Sequence, residues 1–234
     1  MNNKSKKHMA ARKTSKEYAE VHKMASPEKP SMISVKELTI IAFFTAITGI
    51  LSQISITIPF TPVPISFGLV AVYLSGILLK PRHAIYSQVC YLTLGATGVP
   101  VFSNFRGGIG ALFGPTGGYL LTYPVMAWIV AMALNSRKSQ QADRKQGKGT
   151  VLLKSGIAIL IAHTVLYLGG TAWLSITTGN TFHGALALAV LPFIPMDILK
   201  ILFCIFCIVP IRSRLIASNL LVLDYKQPVF SKEK

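Results

Sequence analysis

Long apolar runs alternate with short polar or proline-rich breaks along most of this chain. Leu38 to Ile58 is the first run, close to the ~20 residues that a bilayer requires. Ile58-Pro59-Phe60-Thr61-Pro62-Val63-Pro64 ends it, because three prolines in six residues force extended backbone. Ile65 to Leu79 and Ala84 to Gly98 are two shorter runs, separated by the basic turn Lys80-Pro81-Arg82-His83. Tyr119 to Leu134 is a fourth, Leu152 to Thr171 (extending toward Ile176) a fifth, and Gly184 to Val209 a sixth. Residues 99–118 break the pattern: they are too apolar for a free loop and too rich in glycine and proline for a straight helix. Such backbone is tolerated in a membrane only against protein or a cavity, so a loop folded over or into the bundle is expected.

Charge orders these runs. Of 24 lysines and arginines, nine lie in residues 1–36, two in the turn at 80–82, six in 135–154 and five beyond 209, leaving Arg106 and Lys200. The clusters fall between or beyond apolar runs, as the positive-inside rule requires of an integral membrane protein. Six spans with both termini cytoplasmic satisfy every cluster at once, with Arg106 the only cation on the outer connections. The expected organisation is a basic cytoplasmic tail over 1–36, a membrane domain over 37–210 and a second tail over 211–234. A cell-membrane, multi-pass, all-α protein follows. The strong net positive charge is then explained by topology rather than by nucleic acid, and no nucleic-acid partner is expected.

The polar residues inside the runs carry the chemistry. Asp197 and Lys200 lie within the sixth run, where each charge costs about 2.5–3.5 kcal/mol on insertion scales and usually marks a functional site. Three residues apart, they share one helical face and can neutralise each other. Pro192 and Pro195 precede them and should break the helix there. The plainer alternative is a buried clamp between helices. Asn104 and Arg106 come from the 99–118 loop, and Phe102, Phe105, Tyr119 and Trp173 offer apolar walls. Asp accepts N–H donors, Lys and Asn donate to a carbonyl, and Arg or Lys holds a carboxylate, so a small amphipathic cyclic urea or amide with a carboxylate suits the set. His163 reads as a packed, hydrogen-bonded histidine. Cys204-Ile205-Phe206-Cys207 has no βαβ context and reads as packing or lipid-facing filler. No metal cluster, cofactor or phosphate loop is expected. Ala42-Phe43-Phe44-Thr45-Ala46 leaves one helical face without bulk, where another helix can approach.

Four segments resemble the BioY family of biotin-binding substrate components of energy-coupling-factor transporters: Thr61-Pro62-Val63-Pro64, Gly95-Ala96-Thr97-Gly98-Val99-Pro100-Val101-Phe102, Gly114-Pro115-Thr116-Gly117-Gly118-Tyr119 and Pro195-x-Asp197-x-x-Lys200. The resemblance runs in one order from Leu38 to Val209. It implies six membrane helices, biotin bound from outside, and no catalytic activity of the chain's own. It implies partners as well, a transmembrane coupling protein and two ATPase subunits. It assigns Asp197 and Lys200 to the ureido end of the ligand, Asn104 and Arg106 to the loop that caps it, Tyr119 to the pocket, and Ala42 and Ala46 to docking on the coupling protein. Where the family commonly has a glutamine shortly after the TPVP turn, this chain has Gly68. Three alternatives stay open: a substrate component for another vitamin, a solitary ion-coupled carrier, and a membrane enzyme using Asp197 as acid or base.

Overall fold

The structure, a computed structural model, describes residues 34–135 and 148–217. Most of the tail at 1–36, most of the 135–150 loop and the end of the C-terminal tail therefore lie outside the described residues.

Helix α1 spans Val35–Gln53. It stops short of the expected Ile58 because the chain turns into a minimal hairpin, strands β1 (Ser55–Ile56) and β2 (Ile65–Ser66), with Ser55 paired to Ser66 and Ile56 to Ile65. The described residues are otherwise mostly helical, as expected, and this hairpin is the departure from an all-α chain. The extended backbone expected for the proline-rich segment is interrupted by a tight turn, Thr61 N–H donating to Ile58 O at 3.2 Å, and Val63 and Ile65 are buried as the chain returns. Helices α2 (Gly68–Leu78) and α3 (Pro81–Ala96) follow, the latter with proline in its first turn, where a missing N–H costs nothing. The glycine-rich stretch holds a tight turn at Ser103–Phe105 and a one-turn helix α4, Ile109–Phe113. Helix α5 is Gly117–Asn135 and α6 is Lys148–Thr178. The sixth run is broken as its prolines dictate. Helix α7 (Phe182–Ala189) ends before Pro192, and α8 (Ile194–Phe203) restarts with Pro195 in its first turn. A π-turn, Cys204–Ile208, leads into α9, Val209–Ala217.

Among the described residues, four helical stretches are long and apolar enough to cross a bilayer: Val35–Gln53, Gly117–Asn135, Gly149–Thr178 and Ile194–Arg212. Helices α2 and α3, at the second and third expected runs, have 11 and 16 residues. The surface distribution is that of a membrane protein. Phe43, Ile50, Trp128, Ile161, Leu199 and Phe206 are exposed, whereas Thr48, Ser75, Gln88, Asp197 and Lys200 are buried. Apolar side chains gain nothing by hiding from lipid, so polar groups and small residues go inside.

Helix α5 is central, packing along α6 and also against α2 and α3. A polar seam joins α1 to α2 and α3. Gln88 Nε2 donates to Thr48 Oγ1 (3.3 Å) and Ser75 Oγ (3.1 Å), and Tyr91 donates to Ser52 Oγ (3.0 Å). At the far end of α5, Asn135 Nδ2 reaches the carbonyls of Gly76, Ile77 and Leu79 at 2.8–3.0 Å, covering acceptors left open where α2 ends. Arg212 Nε then donates to Asn135 Oδ1 (3.0 Å), and its other arm reaches Leu134 O (2.6 Å). Glu37 in the first turn of α1 stands 3.3 Å from His83 and 3.9 Å from Lys80. Burial nevertheless holds His83 below the usual imidazole range, with the nearby carboxylate opposing the shift only in part. Cys204 is buried and Cys207 exposed, and all three cysteines are free, in keeping with a packing role for the C-x-x-C.

Candidate functional site

A cavity of about 730 Å³, its open mouth included, lies between the hairpin, the 99–118 stretch and helices α5 to α8. Val63 to Ser66 line one side, Phe102, Ser103, Arg106, Ala111 and Thr116 another, and Tyr119, Leu120, Tyr123, Leu166, Tyr167 and Phe193 the apolar body. Asp197 and Lys200 complete it. A mostly apolar hollow with a few convergent polar groups is the usual form of a small-ligand site.

The break before α8 sets the charged wall. It places Asp197 in the helix's first turn, where a carboxylate complements the dipole, with its backbone N–H on Phe193 O (2.8 Å). Lys200 Nζ donates to Asp197 Oδ1 at 3.0 Å, and both residues are buried. Oδ2 meets helix α6: it accepts from the Tyr167 hydroxyl at 2.8 Å, and His163 Nε2 stands 3.3 Å away, within ion-pair range though without hydrogen-bond alignment. His163 is thus packed and hydrogen-bonded as expected, since its Nδ1 lies 2.6 Å from the Tyr73 hydroxyl. Its position directly behind Asp197 was not foreseen. The i, i+4 spacing of His163 and Tyr167 in an apolar run carried the signal, because it puts both on one face of α6.

The loop is shaped by Gln53 at the end of α1. Its amide nitrogen reaches Pro100 O and Phe102 O, both at 3.2 Å, and its oxygen accepts from the Phe105 amide at 2.9 Å. Phe102 and Arg106 pair antiparallel across the turn, while Asn104 and Phe105 both take left-handed φ, 62° and 55°. Two successive non-glycine residues in that region store strain that the Gln53 contacts must hold. The Phe102 ring lies where a Cβ on Gly95 would sit, so glycine there lets the loop reach the pocket. Gly170 gives the Tyr119 ring the same room, and Tyr119 O–H reaches toward Ala189 O at 3.5 Å.

Of the residues expected from sequence, Asp197, Lys200, Arg106 and Tyr119 line this one cavity. Asn104 does not; its Oδ1 accepts from Ser55 Oγ at 2.8 Å, beside the hairpin. Among the expected walls, Phe102 lines the cavity but Phe105 is exposed, and Trp173 donates to Gly114 O (3.0 Å), bracing the loop from outside. Where the family's glutamine was expected, Gly68 packs so close to Ser52 Oγ that a Cβ would collide with it. The polar group lining the cavity on that side is Ser66. Ala42 and Ala46 are not part of the cavity lining, and both are exposed on α1.

Apolar helices of membrane length around a hollow that buries one carboxylate and one ammonium define a membrane protein built to hold a small polar-headed ligand. The BioY family model matches residues 22–217, and the chain belongs to the BioY family. It is 36% identical over 168 residues to the probable biotin transporter BioY of Pyrococcus horikoshii, covering 72% of this chain and 91% of that protein. With the biotin transporter BioY of Thermotoga maritima it shares 30% identity over 167 residues, 71% and 90% of the two chains. The crystal structure of the S-component for biotin from an ECF-type ABC transporter superposes with a TM-score of 0.68 at 27% identity, covering 76% of this chain and 92% of that one.

Proposed function

We propose that this chain is the substrate-binding component for biotin uptake across the cell membrane and has no catalytic activity of its own. The observation that carries the reading is the Asp197–Lys200 pair, buried at the wall of a cavity that is otherwise mostly apolar. Lys200 has three N–H donors and spends one on Asp197; another can meet the ureido carbonyl, while Asp197 accepts a ureido N–H. The aromatic body takes the rest of the ligand, and Arg106 at the exposed side holds the carboxylate. Asn104 shapes the loop that caps the ligand. The six apolar runs form six spans with both termini cytoplasmic, α2 and α3 being the short ones.

A transmembrane coupling protein and two ATPase subunits drive transport. Ala42 and Ala46 are the docking face, since two small exposed residues one turn apart let a partner helix approach closely. The test is labelled-biotin uptake by biotin-requiring cells that express the chain with such partners. Uptake should be competed by unlabelled biotin and not by other vitamins. Ala42→Leu with Ala46→Leu should abolish uptake while purified protein binds biotin unchanged. Competition by a different vitamin would overturn the ligand, and normal uptake by the double variant would overturn the docking face.

A further inference from the structure

We propose that His163, backed by Tyr73, is a positioning residue for ligand recognition: it acts through Asp197 and decides which oxygen of that carboxylate is open to the cavity. The inference rests on the reading of the cavity as a biotin site and adds groups that the cavity does not itself expose. Neither Tyr73 nor His163 is part of the lining.

An ionised carboxylate has about four acceptor positions. On Oδ2, the Tyr167 hydroxyl occupies one at 2.8 Å and the His163 Nε2 side faces another at 3.3 Å. On Oδ1, Lys200 occupies one at 3.0 Å. The open position is therefore on Oδ1, the oxygen that already holds Lys200. A ligand N–H placed there has its neighbouring acceptor beside Nζ. An N–H and a C=O can meet that pair together only when they lie on the same side of their shared bond. A ring imposes that arrangement on a cyclic urea or lactam, whereas an open-chain trans amide turns the two groups apart. Saturating Oδ2 from behind thus makes the wall read one edge of a ring.

The tautomer matters. Tyr73 is wholly buried, and its hydroxyl lies 2.6 Å from His163 Nδ1. When that hydroxyl donates to Nδ1, the imidazole proton sits on Nε2 and faces Asp197. With the proton on Nδ1 instead, a nitrogen lone pair would face the carboxylate and repel it. The T-shaped contact with Tyr167, ring centroids 4.3 Å apart, fixes the ring's plane. His163 and Tyr73 stand to Asp197 as outer partners stand to a ligating side chain: they set its orientation without touching the bound molecule.

The experiment measures biotin affinity of the full chain in detergent for wild type, His163→Gln and His163→Leu, together with nitrogen-15 NMR of the imidazoles. The His163 signals are those that persist when His8, His22, His83 and His183 are replaced by glutamine. Glutamine can present an N–H to Asp197, so that variant should bind within about threefold of wild type. Leucine removes the N–H that faces Oδ2 at 3.3 Å, and its affinity should fall about tenfold, the low end for a polar contact to a charged group. The wild-type spectrum should show a neutral ring protonated on Nε2, and that signal should move when biotin binds. Equal affinities for leucine and wild type, equal losses in both variants, or a proton on Nδ1 would overturn the proposal. Should both variants fail to fold, the wild-type spectrum decides it alone. Failure of wild type to bind biotin would instead overturn the ligand assignment itself.

Discussion

At the scale of single residues, the molecule places its few buried polar groups where one side chain can satisfy several others. Asn135 shows this most clearly. Its amide nitrogen reaches three carbonyls at the end of α2 and its oxygen accepts from Arg212, so its loss leaves buried acceptors short of a donor and removes one hydrogen bond of that guanidinium. Asn135→Leu should therefore destabilise by about 2–4 kcal/mol, the scale of several lost hydrogen bonds with buried acceptors left unsatisfied, and lower the melting temperature in detergent by several degrees. A melting curve that matches wild type would show that water or another side chain replaces it. Asp197 follows the same economy with a different purpose. Lys200 shares helix α8 with it, and Tyr167 and His163 tie it to α6, but a clamp between helices would not require the charged pair to form the wall of a cavity, as it does. The two charges were readable from sequence, because a charge inside an apolar run is conspicuous. His163 was legible only as a polar residue sharing a helical face with Tyr167; what it, Tyr73 and Gln53 face is shown by the packing alone, because neutral polar residues are common in membrane helices.

At the scale of elements, breaks rather than helices define the site. The gap between α7 and α8 was legible in Pro192 and Pro195, since proline cannot donate from within a helix. The hairpin was not. Its strands are two residues each, too short for any alternation to register, and they follow from the turn's geometry rather than from a β-prone sequence. Pro124 inside α5 marks the opposite case: a breaker tolerated because the helix is packed along both α2 and α6. The 99–118 stretch was expected to fold against the bundle, and its residues do line the cavity. The device that holds it, the Gln53 amide at the end of α1, lies nearly fifty residues away in sequence and gave no local signal. Gln53→Ala should free the strained turn at Asn104 and Phe105. Biotin should then dissociate about tenfold faster or more, as for loss of several loop contacts, with little change in melting temperature, readable by displacement of labelled ligand. An unchanged dissociation rate would mean that Trp173 and Gly95 suffice to hold the loop.

At the scale of the whole molecule, large apolar side chains are exposed along the described helices while several polar and charged groups are buried among them, as lipid demands of a spanning bundle. Charge clusters between the runs made the membrane class legible before any helix was placed, because they obey a topological rule that does not depend on exact boundaries. Boundaries depended on packing and moved: α6 runs unbroken for 31 residues, and the chain is still helical at Ala217. The ligand proposed rests on likeness to biotin transporters, and on that proposal the cavity would hold it with a charged pair at one end, aromatic rings along the body and Arg106 near the mouth. The most direct measurement is equilibrium binding of labelled biotin to the purified chain, wild type against Asp197→Asn and Lys200→Ala. The account predicts tight, saturable binding by wild type and a loss of about a hundredfold or more in each variant, two charged hydrogen bonds being at stake. Tight binding that survives both substitutions would contradict it and return Asp197 and Lys200 to the role of a clamp between helices.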